Sequence, residues 1–84
     1  MEDIVTEEPG WYGAFTRNQV EGAIPNGTVI VKANSDPGDA TPNGTKGTIL
    51  GSLSADGLMF YFVEWESRPK MAIGCMSFKI AVLQ

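Results

Sequence analysis

Oxygen-bearing side chains are concentrated in one polar stretch, where Asn34, Ser35, Asp36, Asp39 and Asn43 lie close together. Carboxylate and amide oxygens at that density are the ligands of a hard cation, which needs six or more of them in fixed geometry. The spacing is not that of an EF-hand, and Pro37-Gly38 interrupts it. The same residue types also build turns, because Asx side chains bond nearby backbone groups. Asn34, Asp36 and Asp39 are therefore ligand candidates of this loop, with turn chemistry as the competing role; no metal and no cofactor is expected. A second carboxylate pair, Glu64 and Glu66, stands two apart on a strand and so shares a face. Acid–base work would need burial to drive their pKa values apart, and Arg68 and Lys70 on the following turn make surface ion pairs the expected outcome. Cys75 is the sole cysteine and histidine is absent. An intrachain disulfide, a Cys-only metal site and an imidazole base are excluded, and Cys75 reads as a small buried hydrophobe. No residue is nominated as catalytic.

The aromatic residues carry a different kind of information. In the run Leu58–Glu66, Met59, Tyr61, Val63 and Trp65 alternate with Phe60, Phe62, Glu64 and Glu66. The two glutamates hardly face a core, so the Tyr61/Val63/Trp65 side is the buried one and Phe60 and Phe62 lie on the other face. Two neighbouring phenylalanines in water would form an apolar patch. Trp11, Tyr12 and Phe15 raise the same problem upstream. Either the N-terminal segment covers Phe60 and Phe62, or another subunit does, or the face is an open groove. Trp11, Tyr12, Phe15, Phe60 and Phe62 form the expected interaction surface, and within it a second aromatic cluster outside the main core.

The elements that position these residues are short strands. Pro-Asn-Gly-Thr occurs at 25–28 and again at 42–45. Proline presets the second position of a tight turn, glycine accepts the left-handed conformation after it, and threonine opens a strand. Strands are expected over 28–33 and 46–53, separated by an eleven-residue polar loop, 34–44, that is long for a hairpin. Asp56-Gly57 is a hairpin signal leading into a strand at 58–66. Two further short strands are expected over 71–76 and 79–83, joined at Ser77-Phe78. Gly51 is placed to bend the second strand. Thr16 followed by Gln19 has the capping-box pattern, and a short helix is expected over about 17–21. The predicted core is Val29, Val31, Ile49, Tyr61, Val63, Trp65, Ile73, Ile80 and Val82.

The 84 residues make one folding unit, and 43% apolar content excludes a disordered chain. The net charge of −4 is unevenly distributed. Glu2, Asp3, Glu7 and Glu8 form an acidic, frayed start over residues 1–8, whereas Glu21, Asp36, Asp39, Asp56, Glu64 and Glu66 are matched by Arg17, Lys32, Lys46, Arg68, Lys70 and Lys79. Scattered bases make nucleic acid a poor partner. The longest apolar run, Leu58 to Val63, is too short to span a membrane, and no signal peptide is visible, so a cytoplasmic location is expected.

From Pro25 onward the chain resembles a Src-homology-3-like barrel, and in particular a group of small bacterial proteins that occur as stand-alone reading frames and in mobile gene cassettes. The resemblance rests on Pro25-x-Gly27-Thr28-x-Ile30-x-Lys32, Asn34-Ser35-x-Pro37-Gly38-Asp39, Pro42-x-Gly44-x-x-Gly47-Thr48-x-Leu50-Gly51-Ser52 and Tyr61-Phe62-Val63-Glu64-Trp65. It implies a mainly β fold, a small five-stranded antiparallel barrel over 25–84, preceded by a short helical or irregular extension over 1–24 that is this chain's own. It implies no activity. Type II dihydrofolate reductases use a similar barrel and carry a Val-Gln-Ile-Tyr signature before the last strand. The matching stretch here, Met71–Met76, lacks the Gln and Tyr.

Two functions remain. The first is a non-enzymatic binding or assembly module that offers the aromatic surface and the polar loop to a protein partner or to itself. The alternative is a small-molecule binder or minor enzyme whose site forms between subunits of a homo-oligomer.

Overall fold

The computed structural model describes residues 7–83. The protein is mainly β, with five antiparallel strands and almost no helix: β1 (Val29–Lys32), β2 (Lys46–Ala55), β3 (Leu58–Trp65), β4 (Ile73–Met76) and β5 (Ile80–Val82). The strands lie in the order β4-β3-β2-β1-β5. A 3₁₀ turn, Ser77–Lys79, joins β4 to β5. Among the described residues, no helix is long and apolar enough to cross a membrane.

Turn chemistry sets the strand starts. In both Pro-Asn-Gly-Thr copies the proline carbonyl accepts the threonine N–H, and Gly27 and Gly44 adopt φ values of 92° and 88°. A residue with a Cβ resists that region. The Asp56-Gly57 hairpin has positive φ at both central residues, the twist that suits a two-residue connection.

β2 is twice as long as β1 needs. Its first half pairs with β1, Thr48 opposite Val29, and its whole length pairs with β3. Between Ile49 and Gly51 the β2–β3 register shifts by a bulge. Leu50 faces away from Ile49 by ordinary alternation, the bulge puts Gly51 on the same side as Leu50, opposite Phe62, and the strand bends at the expected glycine.

The upstream segment fills the second half of that edge, and here the expected helix over 17–21 is absent. The Asn18 carbonyl accepts the Ser52 N–H at 2.8 Å, and the Val20 N–H donates to Ser52 Oγ at 2.9 Å. Thr16 Oγ1 takes the N–H of Asn18, two residues on, instead of starting a capping box. The backbone groups a helix would use internally are spent on the exposed edge of β2. This crossing requires Gly51, since a Cβ there would collide with the Thr16 carbonyl. Further on, the Ile24 N–H donates to the buried Tyr61 hydroxyl at 2.9 Å.

The sheet has a cluster on each face. Ile30, Ile49, Tyr61, Val63, Trp65, Cys75 and Ile80 form the larger one. Phe15, Leu50 and Phe62 form the second, with Trp11, Leu53, Phe60 and Ala72 packed against it. The expected parity of β3 is the observed one. That of β1 is inverted: Ile30 and Lys32 are buried, whereas Val29 is exposed and Val31 half-buried. A one-residue inversion moves every side chain to the other face, and its cause is the partnered ammonium of Lys32 described below. Val82 lies on the Ile80 side of β5 but 44% of it is exposed, and Ile73 is half-buried.

Glu8 is not frayed. It receives a bidentate pair of bonds from Arg17, at 2.8 and 2.9 Å, and Arg17 in turn lies over the Phe15 ring. Residues 1–6 of the start expected to fray lie outside the described residues.

Phe15 is wholly buried, so Phe15→Ala should cost about 3–5 kcal/mol and open the second cluster to a hydrophobic dye. Gly51→Ala should cost at least about 2 kcal/mol through its backbone clash. Chemical denaturation of the two variants checks both, and an unchanged midpoint for either would refute the arrangement described.

Candidate functional site

A pocket of about 310 Å³ opens between β4 and the loop 34–44. Its floor is apolar, with Trp65 at the end of β3 and Ile73, Cys75 and Met76 along β4. Its other wall is Asp39, Ala40 and Thr41 of the loop, with Lys32 from β1 and Lys79 from the 3₁₀ turn behind them. Arg68, on the turn after β3, stands at one end.

The loop is held by two ammonium groups. Lys32 is nearly all buried, and its Nζ donates to Ser35 Oγ (2.8 Å), Asp39 Oδ2 (3.2 Å) and the Ala33 carbonyl (3.3 Å). Three acceptors meet three N–H donors, which is the condition under which a buried charge is tolerated. Lys79 Nζ is saturated in the same way by Asp39 Oδ2 (2.8 Å), Asp36 Oδ2 (2.9 Å) and the Asn34 carbonyl (2.9 Å). Asp39 Oδ2 also accepts the Asp36 N–H at 2.9 Å. Asn34 Nδ2 ties the loop to the Phe78 carbonyl. Of the three ligand candidates, Asp36 and Asp39 converge on one cation with their side chains and Asn34 with its backbone carbonyl, and that cation is the ammonium of Lys79. Among the described residues no group of three or more Cys, Asp or Glu side chains could hold a metal ion.

These contacts shift the titrating groups. The bonds from Lys79, Asp36 N–H and Lys32 hold the Asp39 carboxyl far below the usual carboxylate range, and Asp39 and Asp36 raise the Lys79 ammonium. Burial raises the Cys75 thiol, with Lys32 opposing it less strongly. Cys75 is thus a thiol at neutral pH and a poor nucleophile.

The five aromatic candidates separate. Phe15 and Phe62 are buried in the second cluster, and Trp11 and Phe60 pack against them. Trp11 meets Phe15 at 5.0 Å between centroids, and Phe60 meets Phe62 edge-on at 5.5 Å. The cover is therefore the chain's own extension. Tyr12 stays outside, 70% exposed. Its backbone is engaged instead, accepting from the Ala72 N–H (3.0 Å) and donating to the Lys70 carbonyl (2.7 Å) as a short parallel bridge at Met71. Glu64 does not form the expected ion pair. Its carboxylate accepts the backbone N–H of Lys70, whose ammonium lies 4.8 Å from the Trp11 ring centre.

Lys32, Trp65, Cys75 and Lys79 are pocket residues that sequence reasoning did not bring together, since each reads alone as core or surface. The signal that existed was Lys32 in a strand beside a loop rich in carboxylates.

Comparison with protein-family models, curated protein sequences and solved structures finds no match for this chain.

The Asp39 contact carries a pH dependence. A carboxyl whose folded pKa is depressed stabilises the fold above its unfolded value, about 3.9, and loses that contribution as pH falls towards the folded value. Asp39→Asn should lower the melting temperature at pH 7, and its difference from wild type should shrink steadily below about pH 4. Thermal melts from pH 7 to pH 2 measure this. A difference that stays constant with pH would show that Asp39 acts without its charge.

Proposed function

We propose that the protein is a Src-homology-3-like barrel acting as a non-enzymatic binding module, and that its ligand site is the pocket between β4 and the loop 34–44. The strand order, the bend in β2 and the 3₁₀ turn before the last strand support the barrel reading. It is the architecture implied by the motif resemblance to small bacterial barrel proteins. A lone thiol without a disulfide partner suits a reducing, cytoplasmic setting.

The observation that carries the binding reading is the composition of the pocket. A concave apolar floor with a few polar groups at the rim is the usual make-up of a ligand site, and 310 Å³ lies within the usual size range. The lining also holds three cations, Lys32, Lys79 and Arg68, against one carboxylate, Asp39, in a chain whose net charge is −4. Asp36, which binds Lys79 from outside the lining, brings the balance of this group to one positive charge. The two lysines have no donor left and are neutralised by Asp39 and Asp36, so Arg68 is the cation left to meet a ligand. The ligand class is an apolar group that carries an anion. Nothing in the lining amounts to a nucleophile with an activating base, which favours binding over catalysis.

The test is a titration with 2-naphthalenesulfonate, an apolar ring bearing one anion, followed by amide and indole NMR shifts. One saturable site per chain is expected, with the largest shifts at Trp65, Cys75 and Thr41. Ala40→Trp, which adds bulk at the loop wall, should weaken binding at least about tenfold while the fold is kept. Shifts centred on Tyr12, or none that saturate, would refute the assignment.

A further inference from the structure

The pocket runs along the whole of β4, and β4 is an end strand of the sheet. All four of its residues, Ile73–Met76, line the pocket. An end strand offers backbone N–H and C=O groups that no neighbour takes, and a bare edge is a template for pairing. The chain already uses this edge just upstream of β4. Tyr12 bonds to the Lys70 carbonyl and the Ala72 N–H as an isolated parallel bridge to Met71. It then leaves at Gly13, whose φ of 87° turns the chain away, and continues to Phe15 on the other face. The bridge ends where β4 and the pocket begin.

We infer that an extended acidic peptide, alternating apolar and carboxylate side chains, adds as a strand to the free edge of β4. Its apolar side chains enter the pocket above Trp65 and Cys75. This deepens the binding reading above and rests on it. Successive side chains of a strand point to opposite sides, so one set fills the apolar floor while the other stays at the rim, near Arg68. No side-chain hydrogen bond or ion pair engages the Arg68 guanidinium among the described residues, and its fork matches a carboxylate. The ammonium groups of Lys32 and Lys79 are saturated and charge-balanced by Asp39 and Asp36, so they do not compete for the peptide's bonds. Among the described residues Arg68 is thus the uncompensated charge of the lining, and a carboxylate-bearing peptide complements it. Main-chain bonds to the edge would supply affinity, and the pocket would supply the choice of side chain.

The test uses a fluorescein-labelled hexapeptide of alternating valine and glutamate, and the same peptide with alternate amide nitrogens methylated. Fluorescence anisotropy should show saturable binding of the first and at least about tenfold weaker binding of the second, because methylation removes the strand's donors. Arg68→Gln should weaken the plain peptide about fivefold and leave the ratio between the two peptides unchanged. Amide exchange at Ile73–Met76 should slow when the peptide is bound. Equal binding of the two peptides would overturn strand addition. So would binding of 2-naphthalenesulfonate without binding of the plain peptide, a result that leaves the pocket itself standing. Failure of both probes would overturn both readings. A doubled mass by light scattering, with slow exchange at β4 and no peptide binding, would assign the edge to a second copy of this chain and equally overturn the inference.

Discussion

The ammonium of Lys32 sits inside the fold, and a buried charge has to be answered by neighbouring groups. Asp39, Ser35 and the Ala33 carbonyl answer it. Much else follows from that requirement. Because Lys32 points inward, Ile30 does too, and β1 presents its inner face in that register and no other. Because Asp39 must reach Lys32, the loop after β1 folds back against the sheet. The same carboxylate oxygen then receives Lys79 from the far end of the chain. One carboxylate thus ties β1, the long loop and the turn before β5 into a single wall. The pocket exists because that wall stands opposite β4.

The second constraint is steric and lies at Gly51. β2 is long enough to pair with two different segments on one edge, β1 first and the extension afterwards. The bulge at Ile49/Gly51 separates the two. The missing Cβ lets the Thr16 carbonyl lie against the strand, and the extension passes from one face of the sheet to the other at that point. Upstream of the crossing it places Phe15 on Phe62, and downstream it packs Ala23 and Ile24 on the larger cluster. A sheet this small leaves much apolar surface on its outer face, and burying one phenylalanine is worth about 1.5–3 kcal/mol. The extension is therefore part of the fold's stability, and its aromatic residues are used mainly in holding the chain together.

These two devices divide the molecule's surface. Where the extension lies, the sheet face is closed. Where it departs at Gly13, the edge of β4 is left open beside an apolar hollow that Arg68 helps to line. The opening is a consequence of chain length and direction: the segment that could have continued along β4 is committed to Phe62. Arg68 and the turn that carries it then define the end of the hollow.

Local chemistry made much of this legible in the sequence. The paired Pro-Asn-Gly-Thr turns, the Asp-Gly hairpin and the alternation from Met59 to Trp65 are short-range signals, each set by the residues within it, and they determined the strands, the parity of β3 and the demand that something cover Phe60 and Phe62. The tertiary structure alone decided the rest. Thr16 to Gln19 carries a helix-start pattern, yet its backbone bonds to Ser52, more than thirty residues away. Lys32 reads as outward until Asp39 is brought to it, so the parity of β1 was inverted in the sequence reading. Asn34, Asp36 and Asp39 were legible as turn residues or ligand candidates, but the ammonium that meets the two carboxylates and the Asn34 backbone carbonyl, Lys79, comes from forty or more residues downstream. In each case the deciding partner is distant in the chain, and local propensity has no means of weighing a bond to a group that only folding brings near.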